Sequence, residues 1–172
     1  MRFAKIENNS TSNGPGIRTV LWCQGCSIHC KGCHNPETWD PYGGQLFSII
    51  DAANIIETMK YEWITGLTIS GGHPLEPYNI EICKELCYEI KSNYPDKTIW
   101  LYTGWLWEDI KDLEILKYVD VVVDGPYIEE QRNLFLPYSG SNNQRVIDVQ
   151  KSLQSGKVEL FKIGLFDNVV TK

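Results

Sequence analysis

Four of the six cysteines of this 172-residue chain fall in one stretch, Trp22-Cys23-Gln24-Gly25-Cys26-Ser27-Ile28-His29-Cys30-Lys31-Gly32-Cys33-His34-Asn35. Three of them, Cys26, Cys30 and Cys33, read C-x-x-x-C-x-x-C. Thiolates bind soft metals and iron–sulfur clusters. Three thiolates hold three irons of a four-iron cubane and leave the fourth open to a substrate, as catalytic zinc keeps one position open. A structural zinc usually draws its ligands from two C-x-x-C pairs far apart in the chain. Here the ligands crowd one turn. The spacing points to a cluster-binding loop with Cys26, Cys30 and Cys33 as metal ligands. A structural zinc or a redox dithiol are the alternatives it leaves open.

The remaining cysteines have simpler readings. Cys23 makes C-x-x-C with Cys26, yet at the end of an apolar strand it reads as a small core residue. Cys83 and Cys87, at i and i+4 beside Leu86 and Ile90, read as buried thiols. His29 sits between ligands, where solvent-facing filler and cluster contact are equal readings. A second feature is Gly71-Gly72, closing an apolar strand. Two missing side chains let backbone approach a ligand closely. Alone the pair is as much a turn as a site; opposite a cysteine loop it reads as a ligand platform.

Elements must position these residues. Arg2–Glu7 alternates and reads as a strand, followed by a polar turn to Gly16. Ile17–Trp22 is the next strand, and the cysteine loop follows it, ending in turn chemistry at 36–44. A helix begins at Ser48 with Asp51 in its first turn. Ile64–Ile69, Thr98–Tyr102 and Val119–Val123 read as further strands. Helices are expected at about 78–94 and 106–118. Residues 133–144 read as loop, 145–149 as a strand, 150–155 as a helical turn and 158–161 as a weaker last strand. Strands alternating with helices imply right-handed βαβ units and a mostly parallel sheet. The units are too few for a closed eightfold barrel of about 250 residues, so the expectation is a partial, open β/α barrel. Chemistry in such folds collects at the C-terminal ends of the strands. There stand the cysteines, Ser70-Gly71-Gly72, Tyr102-Thr103-Gly104 and Asp124-Gly125.

Composition sets bounds. Hydrophobic residues are 42% and charged residues 22%, ordinary for a globular domain with a core. The net charge of -6 and the lack of a Lys/Arg cluster argue against nucleic acid. No apolar run approaches a membrane span, and Met1–Glu7 has no apolar signal core. The expectation is a cytoplasmic protein with reduced thiols.

C-x-x-x-C-x-x-C after one strand and Gly-Gly after the next resembles the radical S-adenosylmethionine (SAM) enzymes. Asn13-Gly14-Pro15-Gly16-Ile17-Arg18 resembles the segment ahead of the cluster in glycyl-radical activating enzymes. Gly32-Cys33-His34-Asn35-Pro36-Glu37-Thr38-Trp39-Asp40 and residues 139–149 are similar to the activating-protein family of anaerobic ribonucleotide reductase. The resemblance covers about residues 17–153. It implies a single radical SAM domain over 1–172, with [4Fe-4S] on Cys26, Cys30 and Cys33 and SAM chelating the open iron. Gly32, Cys33, His34, Gly71 and Gly72 are its implied SAM contacts, and no catalytic side chain is assigned. It further implies reductive SAM cleavage to methionine and a 5′-deoxyadenosyl radical, which takes hydrogen from a glycine of the reductase large subunit. A reduced donor such as flavodoxin would supply the electron.

The chain departs from that pattern twice. His73-Pro74 follows the glycines where an acid is usual, and Gly32 stands where many members of the superfamily carry an aromatic. Asp124 reads either as a SAM contact or as turn chemistry. Arg145 reads either as a SAM-carboxylate or partner contact or as a surface arginine. Trp105 and Trp107 read as packing. After the barrel units are assigned, no segment is left for a lid, so the radical site is expected near an exposed face. Activation of another glycyl-radical enzyme, such as pyruvate formate-lyase, and a non-enzymatic zinc module are the competing functions.

Overall fold

The four strands that the sequence places ahead of the special loops lie side by side. In the computed structural model, which describes residues 1–164, they are β2 (Ile17–Cys23), β4 (Ile64–Gly71), β5 (Thr98–Tyr102) and β6 (Val121–Asp124), joined in parallel register. β1 (Arg2–Ser10) pairs antiparallel with β2, and β3 (Gln45–Leu46) pairs antiparallel with β1. β7 (Arg145–Asp148) closes the other side antiparallel to β6. The open seven-stranded sheet has the order β3-β1-β2-β4-β5-β6-β7. Three of its six pairings are therefore antiparallel, which corrects the expectation of a mostly parallel sheet. The reason is in the connections. Asn13-Gly14 joins β1 to β2 by a turn, and no helix long enough for a crossover lies between β6 and β7.

The pleat sorts the two faces. Leu21 and Cys23, Leu67 and Ile69, Ile99 and Leu101, and Val122 all belong to one buried core. Helices α1 (Ile49–Thr58) and α2 (Ile80–Asn93) contribute Ile55 and Cys83, Leu86, Cys87 and Ile90 to it. Each such side chain contributes about 1.5–3 kcal/mol on burial. α1 starts where Ser48 and Asp51 form a reciprocal capping box. The expected helix over 106–118 is instead α3 (Trp107–Ile110) followed by a 3-10 turn (Glu114–Lys117). Its apolar residues Ile110, Leu113 and Leu116 recur every three positions, the period of a 3-10 turn. α4 (Val149–Ser155) follows β7 and ends on Gly156 in the left-handed conformation. The expected strand at 158–161 makes one bridge, Leu160 to Ile147.

The opposite face holds a smaller cluster, Trp100, Val121 and Val123, and beside it a fully buried Arg18. The guanidinium donates to Thr68 Oγ1 (2.7 Å), Thr98 Oγ1 (2.9 Å) and the carbonyls of Leu67 and Thr98 (2.7 Å each). It also lies over the Trp100 ring. Burial pushes its pKa down to about 10, which still leaves it charged at neutral pH. Removing it orphans several buried acceptors and leaves a void. Arg18→Ala is expected to lower the unfolding free energy by about 3 kcal/mol, read by denaturant titration. A loss below about 0.5 kcal/mol would contradict this account.

Candidate metal centre

The C-terminal ends of β2, β4, β5 and β6 surround a cavity of about 670 Å³. Cys26, Cys30 and Cys33 line it together with His34, Gly71 and Gly72. A larger hollow of about 880 Å³ at the opposite strand ends, lined by Asp96, Asp120 and Asp148 among others, contains none of the expected site residues.

The cysteine loop is held from both sides. Gly25 N–H donates to Thr38 O at 2.8 Å and Cys26 N–H to Trp39 O at 3.1 Å. The side-chain amide of Gln24 donates to Glu37 O (3.0 Å) and Asp40 O (2.8 Å). Within the loop, Cys33 N–H donates to Cys30 O at 3.1 Å, and Asn35 N–H reaches Cys33 Sγ at 3.4 Å. His29 has a positive φ of 50°, and its ring stacks on Trp39 with centroids 4.7 Å apart.

All six cysteines are free. Cys26, Cys30 and Cys33 are half-buried, whereas Cys23, Cys83 and Cys87 are buried. Cys23 Sγ sits 3.8 Å from Cys83 Sγ inside the core. Burial pushes the Cys30 thiol above its ordinary range, and its neighbours Cys26 and Cys33 add to this. A bound cation reverses that balance and deprotonates coordinating thiols. Among the described residues, no three His, Cys, Asp or Glu side chains are placed to hold a single metal ion. Three free, half-buried thiols that line one cavity have the chemistry to hold a cluster, one iron per thiolate.

His34 faces the cavity and packs edge-on against Tyr127. Gly32 lies outside the lining, at φ +72°, with a Cβ position 3.0 Å from the Glu129 carboxyl. Gly71 has φ +98°, and a Cβ there would stand 2.6 Å from both N and O of Cys23. A Cβ on Gly72 would collide with Gly25 O and lie 2.8 Å from Thr38 O. The close approach of the cysteine stretch thus requires both glycines, whatever ligand the cavity holds.

His73 is buried behind the cavity, with Nε2 2.7 Å from Thr103 Oγ1 and its ring edge-on to Trp105. Asp124 is buried and accepts the Trp107 N–H at 2.8 Å, capping α3. Arg145 is engaged by Asp124 and Glu108. Trp107 packs in the core. Residue types and spacing carry no signal for Leu134, Leu136 and Tyr138, which form a wall of the cavity from the long loop before β7.

The open α/β sheet carries three thiols at its parallel strand ends, and the class it falls in is given by the family model described as "4Fe-4S single cluster domain", which matches residues 12–147. The activating protein of anaerobic ribonucleoside-triphosphate reductase from Enterobacteria phage T4 is 42% identical over 146 residues, 85% of this chain and 93% of the relative. Its counterpart from Haemophilus influenzae is 36% identical over 148 residues, covering 84% and 96%. That from Escherichia coli K12 is 33% identical over 138 residues, covering 78% and 90%. The chain belongs to the family of anaerobic ribonucleoside-triphosphate reductase-activating proteins.

Proposed function

We propose that this protein activates anaerobic ribonucleotide reductase by reductive cleavage of SAM at a [4Fe-4S] cluster on Cys26, Cys30 and Cys33. The reading treats residues 1–172 as one radical SAM domain with an open barrel, acting in the cytoplasm. No helix among the described residues is long and apolar enough to cross a membrane. What carries the reading is the convergence of three free, half-buried thiols and the Gly71-Gly72 turn on one cavity at the strand ends.

Held by Cys26, Cys30 and Cys33, a reduced cluster would supply the one electron needed to cleave SAM to methionine and a 5′-deoxyadenosyl radical, the species that would take hydrogen from a glycine of the reductase large subunit. The chain's own residues do the rest. Cys26, Cys30 and Cys33 would hold the cluster, and three thiolates for four irons would leave one iron for SAM. The backbone at Gly71-Gly72 and the His34 side chain face the same space and contact the ligand. Leu134 and Leu136 supply an apolar wall that keeps water from a reactive species. Phe135, almost fully exposed between them, extends that wall towards an incoming protein. A reduced flavodoxin is a fitting electron donor.

The test is anaerobic mixing of the reduced protein, SAM and the reductase large subunit. A glycyl-radical doublet is expected on the partner, with methionine and 5′-deoxyadenosine released. A partner that stays radical-free while the activator alone converts a small molecule would overturn the reading.

A further inference from the structure

Glu76 is 5% exposed and, among the described residues, meets no lysine or arginine. Its Oε1 instead accepts the Ser27 N–H at 2.8 Å and the Ser27 O–H at 2.6 Å. Ser27 directly follows the ligand candidate Cys26. A buried carboxylate is costly unless its oxygens are hydrogen-bonded, and bonds to a charged acceptor are the strong ones. Burial pushes the Glu76 pKa up, but the two Ser27 donors and His73 outweigh it, and the carboxyl stays below its ordinary range.

The second contact of Glu76 leads to the far wall. His73 Nδ1 lies 3.4 Å from the same Oε1, and His73 Nε2 lies 2.7 Å from Thr103 Oγ1. Thr103 Oγ1 already accepts the Trp105 N–H at 3.1 Å. A hydroxyl has one proton to donate and two lone pairs to accept with, so the bond to Nε2 runs in the direction set by the imidazole tautomer. The approach of Nδ1 to Oε1 does not have hydrogen-bond geometry, so the Glu76 carboxylate is held by Ser27 and only packed against the imidazole. A carboxylate at position 73 would instead stand beside Glu76 and repel it. Asn79, fully buried, closes the arrangement by donating to Gln24 O and His73 O at 3.0 Å each. Residues 73–79 thus grip the cysteine loop on one side and the Thr103-Gly104 wall of the cavity on the other.

We propose that Glu76 is a positioning residue: through Ser27 it fixes Cys26 in the cavity wall, and through His73 and Thr103 it holds the cysteine loop in register with the wall against which SAM lies. The SAM half of this rests on the function proposed above. A plain folding staple would serve stability alone; this one joins two loops that both face the cavity.

The experiment uses the full chain, reconstituted anaerobically, as wild type, Glu76→Ala, Glu76→Gln, Ser27→Ala and the Ser27→Ala/Glu76→Ala double variant. Iron content, thermal midpoint, the low-temperature spin-resonance spectrum of the reduced cluster with and without SAM, and 5′-deoxyadenosine formation at saturating SAM are measured. Glu76→Ala is expected to bind iron, to show a changed spectrum, and to lose about tenfold in turnover per cluster. Glu76→Gln, whose amide oxygen still accepts from Ser27, recovers most of that loss. Ser27→Ala has a smaller effect of the same kind and adds nothing in the Glu76→Ala background. A lowered thermal midpoint with wild-type spectrum and wild-type turnover per cluster overturns the proposal. If Glu76→Ala fails to fold, Ser27→Ala decides: an unchanged spectrum and turnover overturn it. If the wild type shows a cluster but cleaves no SAM, the functional reading falls. The spectra without SAM still decide the role of Glu76.

Discussion

Alanine at Cys26, Cys30 or Cys33 is expected to abolish the SAM-cleaving cluster, with bound iron falling from about four per chain to well under one. The three thiols line one cavity, and each would serve a different iron, so the loss of one leaves a cubane with two bare corners. SAM cleavage and partner activation fall to background with it. Cys23→Ala is the control. Its thiol is buried in the core, 3.8 Å from Cys83 Sγ, and does not line the cavity. Its removal costs about 1 kcal/mol of packing and keeps the iron. Iron analysis with low-temperature spin resonance reads both outcomes. Loss of the cluster in Cys23→Ala would sink the assignment of ligands.

The legible parts of this molecule were those whose signal is local. Three cysteines in one short turn show metal-type spacing without any knowledge of the fold. Ser48 with Asp51 shows a helix start, which the capping box bears out. Thr98–Tyr102 was bounded by residue type alone, because a β-rich run meets Thr103-Gly104 at one end. Strand direction was less legible. The polar turn to Gly16 was read without the antiparallel pairing of β1 and β2 that it makes, and nothing in residues 125–144 states which way β7 runs. The wall built by Leu134 and Leu136 carries no period and no metal-binding residue type, so only the fold reveals it. Glu76 was hidden for a different reason. In Pro74-Leu75-Glu76-Pro77 a carboxylate reads as turn surface, and its burial depends on Ser27, 49 residues away.

Gly72→Ala is expected to cost the protein most of its bound iron, although position 72 offers no metal ligand. The added methyl meets backbone, namely Gly25 O and Thr38 O, and backbone cannot swing aside. Both carbonyls are already committed: Thr38 O accepts from Gly25 N–H at 2.8 Å, and Gly25 O from His73 N–H at 2.7 Å. Relief requires moving the cysteine loop away from β4, and Cys26 moves with it. Overpacking of this kind typically costs about 1–3 kcal/mol. Here that cost falls on the loop that must hold the cluster. Gly104→Ala separates this from general crowding of the cavity. Its methyl would meet only the Cδ1 end of Ile28, a side chain that can turn away. That variant keeps its iron, and because Gly104 lines the cavity its effect is confined to SAM affinity. Iron content and SAM binding measured side by side give the answer. A Gly72→Ala protein with full iron and weakened SAM binding would leave the glycine pair the role of ligand platform alone and refute the backbone-contact account.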